Sequence, residues 1–321
     1  MVYNVPYKTK QFLFVLIKLS IVVGAGYFIY SKLLLNENLL FSTYIAFLIE
    51  NDPFSPKNVL FLVILTLFNW FFEILKWQKL VQIIQNISFK DALEQSLGGL
   101  TASLVTPNRI GDYGAKVMYY TNRFKGKIVL LNLVGNISQM TITTVFGVIG
   151  LTIFVNFYQV DINYYRVTRF VFILLIIAIL SFFGVKHRRF KVKGHSYVDL
   201  IDFIKSITIN VKAKTLVFSL IRYLIFSFQF YFFLSVFGVA IDYLDAMVVI
   251  TSMYFLASII PSISIFDVVI KGSVAVFLFS FLKINELTIL TIITSMWLLN
   301  FVIPSVFGGY YILNFRLPNA E

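Results

Sequence analysis

The chain has 321 residues, of which 59% are hydrophobic and only 13% charged, with 36 phenylalanines and a mean hydropathy of +0.86. A soluble domain carries about 25% charged residues, so this composition excludes a soluble globular enzyme, and its apolar content excludes disorder. The absence of cysteine excludes disulfides, thiolate metal sites and cysteine catalysis, and the net charge of +12 reads as Lys- and Arg-rich cytoplasmic loops.

A helix needs ~20 apolar residues to cross ~30 Å of hydrocarbon. Residues 11–35 are predicted to be a retained spanning helix rather than a cleaved signal peptide, because no small-x-small site follows the apolar run. Five further spans are predicted at roughly 58–83, 127–157, 167–185, 215–238 and 287–314. Three apolar stretches are too short to cross. Residues 95–107 give ~20 Å of helix before a proline. Residues 246–260 and 268–282 are separated by a break at Pro261. Such segments read as re-entrant.

Loop charges set the orientation. The stretch 76–127 carries Lys76, Lys79, Lys90, Arg109, Lys116, Arg123, Lys125 and Lys127. The loop 186–214 is similarly basic, whereas 36–57 is mainly acidic and 239–245 holds only Asp242 and Asp245. The positive-inside rule then places both termini in the cytoplasm of an inner (cell) membrane. It makes 91–126 a hairpin entering from the cytoplasmic side and 246–282 one entering from outside. Within the basic loop, 196–211 has apolar residues at helical spacing and is predicted to be one amphipathic helix in the interface.

The two short regions resemble each other. Each has Ala-Ser (102–103 and 257–258), two branched apolar residues, a proline (Pro107 or Pro261), then an aspartate and a lysine four positions on. The pairs Asp112/Lys116 and Asp267/Lys271 each share a helix face and can neutralise themselves. Opposed repeats with proline-broken helices point to a transporter's midplane site. The expected architecture is an all-α polytopic membrane protein forming one transmembrane domain over 1–321. It would have six spanning helices plus two opposed broken hairpins arranged as an inverted repeat, with repeats at 58–157 and 215–314.

Thr106-Pro107-Asn108-Arg109-Ile110-Gly111-Asp112 resembles the Thr-Pro-Gly-Arg-x-Gly-Glu signature of the lysylphosphatidylglycerol synthase transmembrane-region, or flippase-like, family. Lys76-Trp77 resembles its basic-Trp pair, and Pro304 with Gly308-Gly309 its C-terminal pattern. The chain departs at Asn108, at Asp112, and in the second hairpin, where Pro261 to Asp267 lacks the family's glycines. The resemblance covers the chain but includes no soluble aminoacyl-transfer domain after it. It implies translocation of a phospholipid or polyprenyl-phosphate-linked lipid, or handling of a lipid-linked group, not lysine transfer.

Ionisable residues inside a membrane are costly and are functional candidates by default. Arg109, Arg222 and Lys271 are expected to line a cavity for an anionic lipid headgroup, because Arg grips phosphate in a fork and Lys acts as a point charge. Glu73, Asp112 and Asp267 are expected as counter-charges or proton carriers, with Lys116 paired to Asp112. For Glu73 and Arg222 an alternative stands open, in which Glu73 pairs with Lys76 and Arg222 snorkels to the interface. Asn132, Asn136 and Gln139 form a polar stripe expected to join helices. No catalytic constellation, phosphate-cradling loop, metal motif or nucleic-acid-binding pattern appears, and no cofactor is expected. Two rival readings remain: a membrane-embedded enzyme acting on a lipid phosphate, and a scaffold for a lipid-modifying enzyme or glycosyltransferase.

Overall fold

The computed structural model describes residues 55–104, 106, 109–160, 191–192, 195–259 and 267–315, with isolated positions 23, 46, 49, 165, 169, 172 and 176. The expected spans 11–35 and 167–185, together with Pro107, Asn108 and Pro261, lie outside the described residues. Asp267 is described only as a helical position.

The described chain is helical apart from a two-residue antiparallel ladder of β1 (Lys191–Val192) and β2 (His195–Ser196). Helix α1 (Pro56–Val81) starts where Ser55 Oγ accepts the Asn58 N–H at 3.3 Å and a proline occupies the first turn. Helix α2 (Phe89–Leu104) starts on a reciprocal cap. Ser88 N–H donates to Asp91 at 2.9 Å, and Asp91 N–H donates back to Ser88 Oγ at 3.1 Å. Then follow α3 (Ile110–Met118) and α4 (Lys125–Phe157). The second half contains α5 (Tyr197–Ser206), α6 (Ile209–Val236), α7 (Tyr243–Ile259), α8 (Asp267–Ser280), α9 (Glu286–Trp297) and α10 (Ile303–Asn314).

Among the described residues, four helical stretches are long and apolar enough to cross a membrane: α1, α4, α6 and the continuous rod Glu286–Asn314. This is the architecture of an all-α membrane protein. Its outward side chains agree: Leu133, Ile137 and Met140 on α4 and Val306, Phe307 and Tyr310 on α10 are exposed apolar groups. The short regions of the sequence are the pairs α2/α3 and α7/α8.

Two boundaries differ from expectation. The amphipathic segment 196–211 is not one helix. α5 ends at Ser206, whose hydroxyl turns back to donate to Phe203 O at 2.7 Å, and Thr208 is extended (ψ 146°). Val211 therefore belongs to α6. Both Ile207, 3% exposed, and Val211 pack on the apolar cluster around Trp77, Leu80 and Ile128. Because α6 begins at Ile209, Arg222 stands ~20 Å into the helix rather than two turns in.

The rod from Glu286 to Asn314 is interrupted by a π turn at Leu298–Val302. Pro304 explains it. Its ring has no N–H and crowds the carbonyl four residues back, that of Asn300. That carbonyl instead accepts the Trp70 Nε1–H of α1 at 3.1 Å.

α1 and α6 lie antiparallel, as Phe61 meets Phe228 and Phe232 at one end while Phe72 meets Phe218 at the other. α2 packs on α10, and α7 packs on α4. Both seams are tight at a glycine facing a threonine. A Cβ on Gly308 would overlap Leu97 O and Thr101 Oγ1, and one on Gly150 would overlap Thr251 Oγ1. Thr101 Oγ1 also donates to Ser305 O at 2.7 Å across the first seam. One apolar cluster gathers Phe154, Phe230, Phe233, Ile250, Phe279 and Ile292; the other gathers Ile74, Trp77, Leu80 and Ile128. Along α1 and α6, the polar residues fall between the two.

Candidate functional site

Most of the candidate residues meet in this intervening layer. Glu73 accepts from both Lys76, at 2.7 Å, and Arg222. Arg222 does not snorkel: its Nε donates to Asn69 Oδ1 at 3.1 Å and its Nη1 to Gln139 Oε1 at 3.2 Å. One guanidinium thus ties α6 to α1 and α4. The Lys76 and Lys116 side chains are 3% and 4% exposed, so each charge must be met by protein.

Lys116 is met by Asp112 at 3.0 Å and by Asn132 Oδ1 at 2.8 Å. Asn132 Nδ2 in turn donates to Asp112 at 2.8 Å, closing a triangle between α3 and α4. The Lys116 ammonium also lies 4.4 Å from the centre of the Trp77 ring, whose Nε1–H donates to Gln95. The rest of the Asn132 stripe joins helices as its spacing predicted. Asn136 donates to Tyr113 OH at 2.9 Å, and Gln139 reaches Ser219 O and Arg222.

The first hairpin turns sharply. Thr106 Oγ1 accepts the Gly111 N–H at 2.7 Å, and Gly111 lies so close to Ala102 O that a Cβ would not fit. Arg109 sits at this turn in the left-handed region, φ 57°. A non-glycine residue there is uncommon; Gln159 and Lys283 share the conformation. Its guanidinium lies 5.8 Å from the centre of the Phe301 ring, and the Lys271 ammonium of α8 lies 5.5 Å from the same centre. Cations at the start of α3 and on α8 therefore meet on one aromatic side chain in the π turn.

Asn300, next to Phe301, knits the layer together. It accepts from Asn69 at 3.0 Å and donates to Gln229 at 2.9 Å. Gln229 continues to Thr66 Oγ1 at 2.9 Å and Leu62 O at 3.1 Å. The described centre holds five cations, Lys76, Arg109, Lys116, Arg222 and Lys271, against the carboxylates Glu73 and Asp112. Asp267, whose side chain is outside the description, does not close that gap. A surplus of positive charge attracts anions.

Phe301, Gln95 and Tyr113 carry no signal in the sequence. Phe301 is one of 36 phenylalanines and is distinguished only by lying between Asn300 and Pro304. Compared with known family models and with curated proteins, the chain matches none.

Proposed function

We propose that the chain is a flippase-like membrane protein that moves a phosphate-bearing lipid, a phospholipid or a polyprenyl-phosphate-linked lipid, between leaflets. The meeting of Arg109 and Lys271 on Phe301, beside a centre with more cations than carboxylates, carries this reading. A guanidinium and an ammonium flanking one ring offer a phosphate both a fork and a point charge. The polar centre lies well inside α1 and α6, between the two apolar clusters.

The packing supports an inverted repeat. Exchange α1 with α6, α2 with α7, and α4 with the α9–α10 rod, and the α2–α10 seam maps onto the α7–α4 seam. Each of those seams has its glycine against a threonine. The α1–α6 contact maps onto itself, antiparallel, as a two-fold axis in the membrane plane requires. On this reading six spans cross an inner membrane, both termini are cytoplasmic, and the two hairpins approach Phe301 from opposite faces. Exchange of the two seams would open the centre alternately to each leaflet.

Purified protein in vesicles, assayed for leaflet transfer over phosphatidylglycerol, phosphatidylcholine and polyprenyl phosphate, tests the reading. Faster transfer than in protein-free vesicles, greatest for the lipid with the most exposed phosphate charge, is expected. Transfer of none of them would overturn it.

A further inference from the structure

The two buried lysines of the centre are held differently. Lys116 has Asp112, Asn132 Oδ1 and the Trp77 ring. Lys76 has Glu73 as its polar partner among the described residues, and it meets the same carboxylate oxygen, Oε2, that Arg222 occupies. Arg222 also holds Asn69 and Gln139. The charges that act on Lys76 are Glu73 of its own helix, Arg222 of α6 and Lys116 of α3. The other helices packed on α1 bring no charge to this depth. α2 and α4 carry theirs in their first two turns, and α4 faces the Lys76 stem with Gly135, where a Cβ would lie 3.8 Å from Cε.

Lys76, Lys116 and Arg222 are thus three inward cations on two carboxylates, Glu73 and Asp112. A charge left over in an apolar layer is costly, and a group able to shed it does so. Arginine keeps its proton in proteins. Lys116 is neutralised by Asp112 and held by two further groups. The surplus therefore falls on Lys76. As a neutral amine it still has an N–H for Glu73, while Arg222 balances the carboxylate.

We propose that Lys76 carries a proton together with the lipid phosphate. With the centre empty, Glu73 is balanced by Arg222, and Lys76 gives up its proton to water. Arg222 lies within electrostatic reach of Arg109, the cation on Phe301. A docking phosphate draws on both guanidinium groups and leaves Glu73 to Lys76. The amine then takes one proton from water, forming one N–H bond. One phosphodiester charge and one proton enter together, so the net charge of the centre is unchanged. This coupling rests on the proposed function and supplies its driving force, a proton gradient.

Phosphatidylglycerol is the probe, because its phosphodiester keeps a single charge over the tested range. Its leaflet transfer is measured in vesicles with a pH difference imposed, for the wild type and for Lys76→Arg, whose charge cannot be shed. A receiving side more alkaline by about one pH unit is expected to raise accumulation there by up to about tenfold, one proton per lipid. The gradient should have no effect on Lys76→Arg. Wild-type transfer that ignores the gradient would overturn the coupling and leave the proposed function standing; absence of transfer removes both. Should Lys76→Arg not fold, carbon NMR of isotope-labelled lysines in the wild type decides. A lysine that loses its proton below the ordinary lysine range, about 10.4, and regains it when phosphatidylglycerol is added supports the proposal. No such lysine would overturn it.

Discussion

Arg222 and Glu73 form an ion pair across two antiparallel helices, and each stands well inside its own helix. Neither side chain is more than 19% exposed. The pair is therefore a structural hinge pin as well as part of the cationic centre, and the two roles separate by mutation.

Removing one partner strands the other charge. Glu73→Gln leaves both Arg222 and Lys76 without their carboxylate, and a cost of about 3–5 kcal/mol is expected. Combining Glu73→Gln with Arg222→Gln should recover a substantial part of it, because glutamines can bond to Asn69 and Gln139. Thermal unfolding of the two single variants and the double variant in detergent measures the coupling. Additive losses would contradict a direct pair.

Asn300 is the hub of the uncharged network. Asn300→Ala leaves the Asn69 amide and the Gln229 carbonyl unpaired and should lower stability by about 1–3 kcal/mol. The Trp70 bond to the residue 300 carbonyl is main-chain and should survive. Chemical or thermal unfolding checks this; wild-type stability would show that the network is not needed to hold α1, α6 and the π turn together.

The two glycine seams should respond alike. Gly150→Ala and Gly308→Ala each force a methyl into a threonine hydroxyl on the facing helix, with a loss of about 1–3 kcal/mol expected. Gly114→Ala is the control: it is exposed in α3 with nothing near its Cβ, and helix propensity favours alanine there by roughly 0.5–1 kcal/mol. Equal melting temperatures for all three would contradict the close packing of the seams.

Much of the helical layout was legible because lipid imposes length and hydropathy on every span. The ends of α1, α4 and the last rod fall within a few residues of expectation. The helix over 196–211 was misread because apolar spacing continues smoothly through Ile207. Only the hydroxyl turn at Ser206 and Thr208 breaks it, and that is a local hydrogen-bond event that periodicity does not register. The Asp112–Lys116 pair was legible because both lie on one helix, four apart. The Arg222–Glu73 pair was nominated residue by residue, but its partnership spans 149 positions and is made by packing. The π turn was hidden because Pro304 looks like any membrane-helix proline until Trp70 is found beneath the carbonyl it displaces.

The cationic pair on Phe301 is the central claim, and leaflet transfer by variants of Arg109 and Lys271 tests it most directly. Arg109 is exposed and Lys271 half-buried, and the unfolding temperature of each variant is measured alongside transfer so that only folded protein is compared. Arg109→Ala with Lys271→Ala is predicted to slow transfer of a phosphate-bearing lipid by about tenfold or more, the equivalent of one charge-assisted phosphate contact. Arg109→Lys, which keeps the charge but loses the fork, should fall between. Wild-type transfer rates in the folded double variant would contradict the account.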